Sequence, residues 1–222
     1  MSRKAAHTPE DYKEVFRELQ LNEVRYCVFG GMGVALWAKY FLTDSDIAEA
    51  NAGGDSLHTK DLDLRGRSAV SGTILAGWDN AGLIAKGALK APRSGLFWGI
   101  RNGPGASGKQ VEVMESIAGL DDGADAPRGY ELNLMVWPEE NIRVRVLDPI
   151  SCLVAKLDVF SREREANRKG DRNDRSHIRM LDRICPIYLE ALRRHHSTSP
   201  DPVKEAARFE SLREAVDAAL KE

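Results

Sequence analysis

No Cys-x-x-Cys pair occurs in this chain, and no cysteine stands at ligand spacing from a histidine. The three cysteines, Cys27, Cys152 and Cys185, each sit among apolar residues. That pattern supports neither a zinc ribbon nor a disulfide framework, and marks them as core thiols of a reducing compartment. Long apolar runs are lacking too. The longest, Tyr26 to Ala38, is 13 residues and holds three glycines, too short and too broken to cross a bilayer. The first residues are polar and carry no apolar signal-peptide core, so the expectation is a cytoplasmic protein with no membrane partner. Nor does one sign of charge prevail. With 32 Lys and Arg against 34 Asp and Glu the net charge is −2, so any contact with nucleic acid must come from a local patch. Histidine is scarce, and His195 and His196 have no partner at ligand spacing. No internal repeat is visible.

What is present suffices for a folded core. The chain has 222 residues, 42% of them hydrophobic, enough for one large domain or two small ones. Thr8-Pro9-Glu10-Asp11 reads as a helix start, and Tyr12, Val15, Phe16 and Leu19 as its apolar stripe to about Leu21. Val24 to Phe29 reads as a buried strand leading into Gly30-Gly31-Met32-Gly33 and a helix through Ala38. Backbone N–H groups at such a strand–glycine–helix junction suit a phosphate, while a tight turn would demand the same small residues. Thr43 to Ser56 is polar and acidic, with a short helix near Ile47 to Ala50. The pattern predicts a helix over Val70 to Ala85, a hairpin of Leu96–Ile100 with Val111–Met114, and strands over Glu131–Val136 and Ile142–Val146. Asp148-Pro149 opens a helix with Ile150, Leu153, Leu157 and Phe160 inward and Lys156 on its shoulder. A further helix carries Ile178 and Leu181 past Cys185-Pro186. Residues 195–202 form a linker, and an amphipathic helix spans Val203 to Leu220.

The chemistry centres on His58-Thr59-Lys60-Asp61-Leu62-Asp63-Leu64. Period-two alternation places Asp61 and Asp63 on one face of a strand, about 6.5 Å apart at the backbone, where two carboxylates can converge on divalent cations. A solvated edge strand fits this short motif as well. Glu112 stands alone among Val111 and Val113 in a later strand. If that strand lies beside the first, three carboxylates share a face and can hold two magnesium ions; Glu115 is the substitute for that role. Asp171 and Asp174 precede Ile178 at helical spacing, either extending the inward stripe or capping the helix.

Taken together, Gly30-Gly31 after a strand, Asp61-x-Asp63 and Glu112 resemble the nucleotidyltransferase superfamily, whose fold is shared with polymerase beta. Leu147-Asp148-Pro149 with Lys156, and Arg168-Lys169-Gly170-Asp171-Arg172-Asn173-Asp174, are similar to the abortive-infection nucleotidyltransferases that act as toxins of type IV toxin–antitoxin pairs. The resemblance implies an α+β fold, a nucleotidyltransferase-like mixed sheet with packed helices over 1–147 and a helical region over 148–222, with residues 43–56 as an insertion. It implies that Gly30 and Gly31 support a nucleoside triphosphate and that Asp61, Asp63 and Glu112 hold two Mg2+. Lys156 would neutralise triphosphate charge, and Asp171 and Asp174 would fix the base, the lysine or a metal-bound water.

The implied activity is transfer of a nucleoside monophosphate to a hydroxyl acceptor. An RNA end, transfer RNA first, is favoured by the arginine-rich run from Arg162 to Arg183, and an antitoxin protein would be the partner. A small-molecule or protein acceptor would use the same three acids. A binding module without turnover and a metal-dependent nuclease are the competing readings.

Overall fold

The computed structural model describes residues 7–52, 58–88, 96–103, 108–117, 119–120, 130–165, 172–195 and 200–221. Its centre is a seven-stranded mixed sheet. The strands are β1 (Cys27–Phe29), β2 (Leu62–Arg65), β3 (Ala81–Ala88), β4 (Leu96–Asn102), β5 (Gln110–Met114), β6 (Glu131–Trp137) and β7 (Ile142–Leu147). They lie in the order β3-β4-β5-β2-β1-β7-β6. β2 runs parallel to β5 and β1 parallel to β7, and the remaining neighbours are antiparallel. The architecture is therefore mixed α and β, as expected from the sequence.

Thr8 and Asp11 cap one another, with Asp11 Oδ2 accepting from the Thr8 N–H at 2.8 Å. The chain then makes a 3-10 turn at Pro9–Tyr12 before α1 (Lys13–Leu21). Val15, Phe16 and Leu19 of α1 are buried, and the Phe16 ring lies between Tyr26 and Trp137, with centroids 6.4 and 6.0 Å away. β1 passes directly into α2 (Gly30–Phe41), and α3 (Asp44–Ala52) follows.

The expected helix over Val70 to Ala85 is half right. α4 spans Ser68–Gly77, the chain reverses through Asn80 at φ +56°, and Ala81–Ala88 forms the edge strand β3. Leu83 and Ile84 stand exposed on that edge. Pairing with β4, invisible in the local pattern, outweighs a helix weakened by Gly72, Gly77 and Gly82. The hairpin of β4 and β5 and the pair β6–β7 form as expected.

After β7 come α5 (Pro149–Glu165), α6 (Arg172–Arg194), α7 (Pro202–Glu210) and α8 (Arg213–Leu220). Asp148 is fully buried: Oδ1 accepts from the Ser151 N–H at 2.9 Å and Oδ2 from the Tyr130 N–H at 2.8 Å. The motif at 147–149 is thus an α5 cap that also ties down the entry to β6. α6 runs unbroken through Pro186, which is exposed. The single terminal helix expected over Val203–Leu220 is two helices. The break at Ser211–Leu212 lets Phe209, Val216 and Ala219 all turn inward, and Arg213 reaches Asp182 at 2.7 Å.

One core joins the sheet to these helices. Trp37 of α2 donates to the Leu147 carbonyl at 2.7 Å and packs with a tilted ring against Tyr188 of α6, centroids 5.9 Å apart. The cysteines are buried thiols of this core, and burial pushes Cys27 up to about 12. No helix of the described residues is long and apolar enough to cross a membrane.

Candidate functional site

β2 alternates cleanly: Leu62 and Leu64 are buried while Asp63 and Arg65 keep partial exposure. Asp61 lies just before the strand rather than on it. Its position is set by Thr59, whose hydroxyl donates to the Asp61 carbonyl at 2.9 Å. Thr59 in turn exchanges two backbone hydrogen bonds with His7, at 2.8 and 3.0 Å.

The expected neighbour is in place. β5 pairs with β2 in parallel register, with Glu112 opposite Asp63. Opposed residues of a strand pair share a face, so ligand atoms of Asp61, Asp63 and Glu112 all come within 4.8 Å of one another. Glu112 is steadied from behind. Gln110 Nε2 donates to its Oε1 at 2.6 Å, and the Gln110 carbonyl accepts from the buried Tyr12 hydroxyl at 3.0 Å. Glu115, the substitute, does not join them; its carboxylate accepts from the Leu96 N–H at 3.3 Å.

The three acids strain one another electrostatically. Asp63 as a residue keeps some exposure, but its carboxyl is enclosed by protein, and that desolvation pushes its pKa well above the ordinary carboxylate value. Asp61 and Glu112 push it further, and Lys156 opposes them.

Gly30 is required by this crowding. β1 runs antiparallel to β2 with Phe29 opposite Asp63, so the next residue faces the carboxylate. Gly30 adopts φ +64°, and a Cβ there would fall 2.0 Å from Asp63 Oδ2. A Cβ on Gly31 would lie 2.8 Å from Thr59 Oγ1 and 2.9 Å from His177 Cε1. Gly30 opens α2, whose N-cap residue, Phe29, supplies no side-chain hydrogen bond. Backbone N–H groups at the start of this helix therefore border the carboxylates, an arrangement able to receive an anion.

Lys156 of α5 and Asp174 of α6 form an ion pair at 2.5 Å, and their side chains are only 14% and 9% exposed. Asp174 thus takes the inward alternative. Asp171 lies outside the described residues, as do Arg168, Lys169 and Gly170.

The sequence reading passed over two histidines. His177, buried one turn beyond Asp174, touches the glycine turn; its i+3 spacing from Asp174 was the available signal. His7 is also buried and packs edge-on against Tyr12 at 5.6 Å. Burial lowers its pKa, against the opposing pull of Asp11 and Asp61. No local pattern announces His7, because its position depends on the bridge to Thr59.

The arginine-rich run is described only in part. Arg162 pairs with Asp158 at 3.0 Å and Arg175 lies over the Phe160 ring at 5.8 Å. Arg164 is in a part of α5 where side chains are not described.

Three comparisons of the chain, with protein-family models, with curated proteins and with solved structures, found no match. The chemistry of the site must be read from its own residues.

Proposed function

We propose that the chain is a metal-dependent nucleotidyltransferase that moves a nucleoside monophosphate from a nucleoside triphosphate to a hydroxyl acceptor. The observation carrying this reading is the register of Asp63 with Glu112 on parallel neighbours, with Asp61 beside them, at the mouth of the glycine-started helix α2. Three oxygen donors converging without nitrogen or sulfur fit Mg2+ or Mn2+. The rise of the Asp63 pKa fits as well, because a carboxylate crowded by two others is relieved by a proton or by a cation. Bound there, two Mg2+ would neutralise the charge of the triphosphate and lower the pKa of the acceptor hydroxyl.

The remaining steps belong to the chain's own groups. The N–H groups from Gly30 and Gly31 onward donate to phosphate oxygens, and the absence of side chains at these two residues lets the triphosphate approach Asp63. Lys156, pinned by Asp174, adds positive charge from the helical side. The acceptor oxygen attacks the α-phosphorus, the bond to pyrophosphate breaks, and the hydroxyl proton passes to Glu112, held in place by Gln110. An RNA end, transfer RNA first, is the favoured acceptor, which would make the chain a toxin restrained by an antitoxin protein. A small-molecule or protein hydroxyl would be handled by the same groups.

The test is transfer of label from each of the four α-labelled nucleoside triphosphates, with Mg2+, into total RNA, protein and small hydroxyl compounds. Wild type labels RNA and Asp63→Ala labels nothing. Label in protein or a small compound alone keeps the chemistry and replaces the acceptor. No label in any of them overturns the reading.

A further inference from the structure

A broad groove lies away from the carboxylates. It has a volume of about 1190 Å3 and lies at the other end of β2, between residues 22–26, residues 65–70 and the start of β6. A second hollow of about 640 Å3 shares Glu23, Val24, Arg25 and Tyr26 with it and extends it along β7. All the cations lining the two are arginines: Arg25, Arg65 and Arg67 in the first, and Arg143 and Arg145 in the extension. Three glutamates, Glu23, Glu115 and Glu131, oppose these five, so the groove is positive in a chain whose net charge is −2.

The sheet builds this patch. Arg65 lies opposite Cys27 on β1, and Val28 lies opposite Val146 on β7. Arg65 and Arg145 therefore share a face on either side of a small buried residue. Both reach Glu131, and so does Arg25, with Arg145 and Arg25 at 3.6 and 3.5 Å. One carboxylate thus holds three guanidinium groups and neutralises only one charge. Arg67 and Arg143 are exposed and make no ion pair among the described residues. Guanidinium forks fixed at one end and short of counter-charge suit the oxygens of successive phosphates. Arg65 is also two residues beyond Asp63 on the same face of β2, about 7 Å along the strand.

We infer that this groove holds the phosphate backbone of the RNA strand whose end is modified at the carboxylates. The identity of that strand rests on the nucleotidyl-transfer reading, whereas the groove's charge does not. The acceptor surface is then the arginine groove beside β1 and β2, and not the Arg162–Arg183 run.

The experiment is fluorescence anisotropy of a 5′-labelled RNA oligonucleotide with the full chain, titrated between about 50 and 200 mM salt. Wild type is compared with the double variant Arg67→Ala/Arg143→Ala, which breaks no ion pair. The variant is expected to bind about tenfold more weakly at 0.1 M salt, with a salt slope shallower by about 1.4, two phosphate contacts' worth. Its KM for RNA rises while transfer to a small hydroxyl compound is unchanged. Wild-type affinity and slope in the variant, or no salt-dependent RNA binding by wild type, overturn the inference. Asp63→Ala separates the two readings: it loses transfer and keeps RNA binding. Should wild type transfer nothing while the arginine variant still loses RNA, the groove stands and the transferase reading falls. Transfer to RNA with an unchanged KM in the variant gives the reverse.

Discussion

The α-carbon of Gly30 and the carboxylate of Asp63 are so close that a methyl group on the first would lie 2.0 Å from Oδ2 of the second. The strand-end glycine and the second acid of the Asp-x-Asp motif, 33 positions apart in the chain, are thus a single structural unit. The carboxylate leaves no room for a side chain at position 30.

Gly30→Ala should therefore damage site and fold together. The left-handed backbone costs an alanine about 1–2 kcal/mol, and Asp63 must also move aside. A displacement of about 1 Å is enough to cost roughly a hundredfold in rate. The expected result is a lower melting temperature and transfer reduced at least about a hundredfold. Gly82→Ala on β3, where a Cβ meets nothing within 4 Å, should leave both unchanged.

Asp63 sets a pH dependence whose sign follows from its raised pKa. Between the ordinary value of 3.8 and the higher folded value, the native state binds more protons than the unfolded one. This contribution is fully present below pH 3.8 and lost as pH rises through the folded pKa. Asp63→Asn should abolish that decline, which urea melts at a series of pH values will read. The variant should equal or exceed wild type in metal-free stability above neutral pH, while showing no transfer.

Mg2+ should reverse the same penalty. A ligand of the native state at a hundred times its dissociation constant adds about 2.7 kcal/mol. For a domain of this size that is about 5–10 °C in melting temperature. Wild type should shift by this amount and return on chelation. Asp63→Asn should show a much smaller shift, and equal shifts in the two proteins would remove the carboxylates from metal binding.

Lys156→Ala leaves Asp174 buried without its partner, and should cost about 3 kcal/mol of stability by denaturant unfolding. Replacing both, Lys156→Met with Asp174→Leu, should recover most of that loss because the unpaired charge is gone. Transfer should stay depressed in the double variant. If activity returned with stability, the pair would be structural only.

His177→Ala tests a positioning role, since the ring lies against Gly31. The KM for the nucleoside triphosphate should rise about tenfold while the Mg2+-induced melting shift persists. A change in melting temperature alone, with KM unmoved, would assign the ring to packing.

Local pattern alone determined much of this protein. The alternation of Leu62 and Leu64 with Asp63, the cap at Asp148-Pro149, the hairpin pairs and the buried thiols all follow from residues within a few positions of one another. The acids that share a face were legible too, from the isolated positions of Asp63 and Glu112 among apolar strand residues. Tertiary structure decided what pairing across the sheet decides. Glu112 joins the site and Glu115 does not, since parallel register with β2 puts only one of them opposite Asp63. Residues 81–88 are a strand because β4 lies alongside, although the local pattern predicts a helix as far as Ala85. His7 reaches the site through a two-bond bridge across 52 positions, and the arginines of the groove come from three separate stretches. Such contacts depend on hydrogen-bond registers between distant segments, and one-dimensional periodicity carries no information about which distant strand will be the neighbour.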